Sequence, residues 1–261
     1  MKRFLVLFAG ALLALSLQAT ALGQTAEKVD VAAVVRAFTA KETEFRKALN
    51  QYTFKREAVM QTIGMGGQVT GEYRRSSSFT FDAEGTRNER ITHFPVPTLT
   101  EITFTNEDLE DLGGIQPFAL EASKMDRYNF SYVGREKVDE LDTYVFDVGP
   151  KVMPKSERER FFQGRVWVDD KDLQVVKVRG KGVPEGKQRF PTFETYRQQI
   201  DGKFWFPVYT SADEELVFKN GHAVHIRLVV RYTEYKRFQG RVRVIEEGDP
   251  GDLPDETPKK P

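Results

Sequence analysis

The sequence predicts a mainly β protein of the α+β class, with one N-terminal helix followed by a large antiparallel sheet that carries a short helical insertion. Three observations predict this. Apolar residues recur at three- and four-residue steps up to residue 51, and the period then changes to two. Phe is abundant, at 20 residues against 5 Met and 2 Trp, and aromatic side chains favour pleated, half-buried surfaces. Two hairpin dipeptides, Asp201-Gly202 and Asn220-Gly221, stand between alternating segments.

The chain opens on Met1, Lys2 and Arg3, then runs uncharged and nearly all apolar from Phe4 to Leu17. Gln18-Ala19-Thr20-Ala21 supplies small residues where a signal peptidase would cut. Residues 1–21 therefore read as a secretory signal peptide, shorter than the roughly 20 apolar residues of a membrane-spanning helix. The chain has no cysteine, which leaves no residue to lipidate after the cleavage point and no disulfide, so the core alone must hold the fold. The expected product is soluble, exported to a bacterial periplasm or secreted, and not lipidated. The 240 residues that follow the signal suit one all-β domain or two small ones, and residues 22–240 are read as one domain. The signal removes two basic residues from a chain with 39 basic and 39 acidic ones, leaving the rest slightly acidic. No global basic field exists to hold nucleic acid or an anionic bilayer.

Gln24 to Gln51 predicts a helix: Val31, Val34, Val35, Phe38, Phe45 and Leu49 form a one-sided stripe, and Asp30 suits the N-cap. Tyr52, Phe54, Arg56, Ala58 and Met60 share one face of a strand, and Gly64-Met65-Gly66-Gly67 is a turn. Val69, Gly71, Tyr73, Arg75, Ser77, Phe79 and Phe81 share one face of a second strand, and Arg87 to Phe94 returns. Pro95 to Glu101 breaks the pattern. Asn106 to Leu112 and Ile115 to Asp126 read as short helical pieces. Strands resume at Tyr128–Val138, Thr143–Val148, Phe161–Val168, Leu173–Arg179, Arg189–Ile200, Lys203–Thr210, Asp213–Lys219 and His222–Arg237. Between them, Lys151 to Arg160 is a charged excursion with one helical turn. Residues 241–261 form a C-terminal tail, and its Pro- and Gly-rich part from Gly248 onward reads as disordered. A long twisted sheet tends to curl, and a helix can cover its concave face.

Catalytic chemistry is not visible. His222 and His225 are three apart in a predicted strand and so point to opposite faces; with no cysteine, no zinc site is expected. Gly64 to Gly67 joins two strands and opens no helix, so it lacks the helix N-terminus of a phosphate loop. Ser76-Ser77-Ser78 has no nucleophile-elbow context. No cofactor is expected. Aromatics remain, on both strand faces: Phe204 and Phe206 oppose Trp205, and Phe161 opposes Phe162. They suit either a filled core or an apolar cavity between sheet and helices.

The element order, with Gly71-Glu72-Tyr73, Tyr132-Val133-Gly134-Arg135-Glu136-Lys137-Val138, Tyr144 to Val148, Gly164-Arg165-Val166-Trp167-Val168-Asp169 and Asp201 to Pro207, resembles the periplasmic lipoprotein-carrier superfamily of LolA and LolB over residues 27 to 238. The resemblance implies an unclosed β-barrel, a half-cone of antiparallel strands with helices as a lid, which binds lipid or acylated protein and catalyses nothing. The aromatic strands, read with this pattern, single out Phe54, Met60, Tyr73, Phe79, Phe81, Trp167 and Trp205 as cavity candidates, and the resemblance implies Arg74 and Arg75 as candidates to close the lid. The expected partners are an apolar ligand and an envelope protein, with the chain itself a monomer. The alternative is a structural or interaction module of the cell envelope with a filled core and no ligand.

Overall fold

A computed structural model describes residues 29–82, 86–102, 119–156, 159–185 and 189–238. The expected signal peptide, the helical piece Asn106–Leu112 and the C-terminal tail lie outside these residues. Residues 1–30 form a separate unit from the domain, which begins at Val31. Among the described residues no helix is long and apolar enough to cross a membrane.

The helix α1 spans Val31–Leu49 and starts directly after Asp30. Its predicted stripe is the buried one except at Val31, which is half-buried at the helix start: Val34, Val35, Phe38, Phe45 and Leu49 are buried. Arg46 and Lys47 in the last turn suit the negative end of the helix dipole. Ten strands follow: β1 Tyr52–Ile63, β2 Val69–Phe81, β3 Arg87–His93, β4 Tyr128–Val138, β5 Leu141–Pro150, β6 Phe161–Asp169, β7 Val175–Val183, β8 Phe193–Ile200, β9 Phe204–Val217 and β10 Ala223–Arg237. Among the described residues a 3₁₀-helix, Ala122–Arg127, precedes β4.

All ten strands form one antiparallel sheet in the order β3-β2-β1-β10-β9-β8-β7-β6-β5-β4. Two meanders are joined where β10 pairs with β1, from Tyr52↔Arg237 to Ile63↔His225. The sheet does not close: β3 and β4, successive in the chain, are its two edges. A flat sheet would hold them roughly 43 Å apart at about 4.8 Å per strand. From Phe38 to Leu49, α1 rises only about 17 Å. Yet the Phe38 ring meets Phe130 of β4 at 5.6 Å, and the Leu49 carbonyl accepts from Arg87 of β3 at 3.2 Å. The sheet therefore curls around the helix.

The turns follow their residues. Asp201 (φ 52) and Gly202 (φ 64) both take positive φ, as a type I′ turn requires, and the Lys203 amide closes that turn on the Ile200 carbonyl. Three expectations are corrected. Lys203–Thr210 and Asp213–Lys219 are one continuous strand, β9: Ser211 and Ala212 carry little strand propensity themselves, but Val229 and Leu228 of β10 hold them in the ladder. The strand expected from Leu173 starts at Val175, because Leu173 (φ 55) belongs to the turn. The excursion after β5 holds bends and no helix among its described residues.

The chain must pass from β3 at one edge to β4 at the other. Its described ends do so on the α1 side. Thr98 exchanges backbone and hydroxyl bonds with Glu72 at 2.9 Å, and Leu99 and Ile102 pack on the core that also holds Phe45, Phe206 and Ala119. Farther on, the Ala122 amide donates to the Thr43 hydroxyl of α1 at 3.1 Å, and Glu121 pairs with Arg46. The sheet's concave side is thus covered by α1 and by the described ends of this connection.

Candidate functional site on the concave side of the sheet

Five of the seven predicted cavity residues lie on one side. Phe54 and Met60 on β1 and Tyr73 on β2 are buried in the core beneath α1, with Phe79 packed against them. Met60 stands opposite Tyr73 and Phe54 opposite Phe79. The Phe54 and Phe79 rings stack at 4.5 Å, Tyr73 meets Phe94 at 5.5 Å, and Phe81 meets Phe238 at 4.7 Å. The Tyr73–Phe94 contact lies on the β3 side of β2, and the Phe81–Phe238 contact reaches across β1 to the end of β10.

Trp167 and Trp205 are not part of this set. Phe146 faces α1, with its ring 5.5 Å from Phe38, so its neighbour Val145 faces away. Trp167 pairs with Val145 across β5 and β6, and Trp205 alternates with Phe204 and Phe206, which face the core. Both tryptophans join Val145 and Val176 in a small cluster on the convex side. Their indole N–H groups donate there to Glu136 at 2.7 Å and to Asp172 at 2.8 Å. Lys177 completes this convex patch, 4.9 Å from the Trp167 ring and 4.7 Å from that of Tyr196.

A polar inset interrupts the aromatic wall at β1–β3. Glu89 of β3 accepts from the Ser77 hydroxyl at 2.5 Å and from Arg56 at 3.1 Å, and pairs with Arg75 at 2.6 Å. Burial pushes the Glu89 carboxyl up, but the Ser77 hydroxyl and the two guanidiniums outweigh it and hold the group below its ordinary range. Arg56 lies over the Phe79 ring at 5.0 Å and Arg87 over the Phe54 ring at 5.6 Å. The stacked phenylalanine pair therefore carries one guanidinium on each ring. Burial lowers the Arg87 pKa, the sign of a cation drawn out of water.

Arg74 and Arg75, the candidates for closing a lid, point to opposite faces. Arg74 pairs with Glu57 and Glu72 at 3.2 Å; Arg75 serves the inset. Neither pairs with a helix among the described residues. The tie between helix and sheet that sequence reasoning missed is Glu42 of α1 with Arg197 of β8. It is bidentate, with Nη1 at 2.5 Å and Nη2 at 3.0 Å, and both side chains are buried, 3% and 7% exposed. Arg197 also covers the Phe45 ring at 4.4 Å. A glutamate inside the apolar stripe of α1 was the only available signal.

Glycines shape the rest of the concave floor. The Phe162 ring lies over Gly164 and Gly180, where an added Cβ would come within 2.8 and 2.5 Å of it. At Gly71 a Cβ would meet the Thr98 carbonyl at 2.9 Å, so that glycine lets the covering segment approach the sheet. Among the described residues no three His, Cys, Asp or Glu side chains are grouped to hold a metal. What remains among the described residues is an aromatic concave wall with a cationic inset on the strands next to the β3 edge.

No family model matches the chain, and neither does any curated protein. Among solved structures it is similar to a DUF1329 family protein from Desulfovibrio piger, at 15% identity and TM-score 0.41 over 80% of this chain and 94% of that one. It is similar to a LolA superfamily protein from Nitrosomonas europaea, at 14% identity and TM-score 0.34 over 77% and 94%. A third is MucB, at 10% identity and TM-score 0.32 over 79% and 94%.

Proposed function

We propose that the protein is a non-enzymatic carrier or sensor of the bacterial periplasm, taking a lipid-like apolar ligand between the concave side of its sheet and the segments that cover it. The observation that carries this reading is the coverage itself. An open, curled sheet places Phe54, Met60, Tyr73 and Phe79 beneath α1 and the described ends of the β3–β4 connection, Leu99, Ile102 and Ala119, so separating those segments from the sheet would open an aromatic surface to an acyl chain. Apolar concave sites with a few placed polar groups are the usual form of ligand sites. Purified protein, extracted with organic solvent and read by lipid mass spectrometry, is expected to yield acyl-chain species in near-stoichiometric amount. Clean extracts, together with no uptake of added acyl probes, would refute it.

One observation favours an envelope interaction module instead. Among the described residues no strand pairs with the outer side of β3, and Ile91 within it and Phe94 just after it are each 48% exposed, which suits strand addition by a partner protein. That reading predicts no extractable lipid and a bound partner whose release follows Ile91→Lys.

A further inference from the structure

Among the described residues, the concave side of β1–β3 brings three guanidiniums around one carboxylate. Its described ionisable groups, apart from tyrosines, are Arg56, Arg75, Arg87 and Glu89. Arg56 and Arg75 both address Glu89. Arg87 has a backbone carbonyl and an aromatic face, and no carboxylate among the described residues. An isolated cation drawn into an apolar setting is costly unless an anion joins it. The cost is borne here beside a stacked phenylalanine pair, on the wall that the reading above gives to an acyl chain.

The inset can also be reached. Arg75 and Glu89 retain 21% and 25% side-chain exposure, and β3 is the sheet's outermost strand. Guanidiniums present paired N–H donors that match the oxygens of phosphate or carboxylate. Positive charge beside apolar rings at an open edge is the arrangement that an anionic amphiphile complements, with its headgroup at the edge and its tail along Phe54, Phe79 and Met60.

We propose that Arg87, with Arg75 and Arg56, forms a headgroup site that selects anionic over neutral amphiphiles. The proposal rests on the apolar-ligand reading above. It is tested on the full exported chain by isothermal titration with dodecyl phosphate, with dodecyl maltoside as a neutral probe of equal chain length, and with inorganic phosphate. Dodecyl phosphate is expected to bind about tenfold to a hundredfold more tightly than the maltoside. Its affinity should fall as salt rises, while that of the maltoside stays constant. Arg87→Gln, checked for an unchanged melt, is expected to remove most of the difference without touching maltoside binding; Arg75→Gln does the same if Arg87→Gln does not fold. Equal affinities for the two amphiphiles, with no salt dependence, overturn the headgroup site and leave the apolar-ligand reading standing. Inorganic phosphate binding as tightly as dodecyl phosphate overturns the lipid source of the anion. Binding of neither amphiphile overturns both readings.

Discussion

The Glu42–Arg197 pair gives the sharpest test of how α1 is held to the sheet. Both charges are out of water, with 3% and 7% of the side chains exposed. Removing one partner leaves the other buried and uncompensated, at a cost of about 3–5 kcal/mol. For a domain of this size each kcal/mol moves the melting temperature by about 2–4 °C, so Glu42→Leu or Arg197→Met alone should lower it by roughly 6–20 °C. The double variant is different. It removes both desolvated charges at once, so it should lie within about 2 kcal/mol of the wild type, less stable by whatever the Arg197–Phe45 contact at 4.4 Å contributes. The full cycle, read by urea unfolding, should give a coupling energy of at least about 3 kcal/mol. Single variants within 1 kcal/mol of wild type, or strictly additive losses, would show that this pair does not fasten the helix.

Other consequences are open to measurement. Gly164→Ala puts a Cβ 2.2 Å from the Arg179 carbonyl, whereas at Gly149 the nearest atom is Gln163 Cγ at 3.8 Å. The first should cost about 1–3 kcal/mol or more and the second well under 1, read by thermal melts. The Asp169 carboxyl is pushed up, first by burial and then by neighbouring Asp172, against the Asp172 and Lys171 amides. A raised acid stabilises fully below its unfolded value near about 3.9 and loses that contribution as pH rises through its folded value. Asp169→Asn keeps an oxygen for those amides, so it should match or exceed the wild type at pH 7 and lose the advantage in acid; a large loss at pH 7 would contradict this. Glu89 is held low, so its contribution is present above its unfolded value near about 4.3 and fades as pH falls through the lower folded one. Glu89→Gln should flatten the acid limb of the stability curve there.

Much of the fold was legible because its signals are local. Tyr52, Phe54 and Met60 alternate along β1, and the Asp-Gly dipeptide sits at the β8–β9 hairpin with both residues at positive φ. Long-range order was not legible in the same way. The β1–β10 pairing joins distant residues, and no turn chemistry specifies it. Strand alternation already placed Trp205 opposite Phe204 and Phe206, but it does not say which side a helix will cover. Phe38 and Phe45, by meeting Phe146 and Phe206 at 5.5 and 5.8 Å, decide that, and they leave Trp167 and Trp205 on the convex side. The same limit hid Arg197, which lies 155 residues from Glu42 and in its own strand reads as one more solvated arginine.

The placement of the tryptophans makes the central claim directly measurable. Trp167→Phe and Trp205→Phe silence the convex side, and Phe79→Trp sets a reporter on the concave wall against Phe54. Titrating this variant with a brominated fatty acid, which quenches only an indole it touches, should quench the reporter saturably, while the native tryptophans of the wild type keep their emission at the same concentrations. A reporter that keeps its emission, with or without quenching of Trp167 and Trp205, would contradict a ligand between the helix and the sheet.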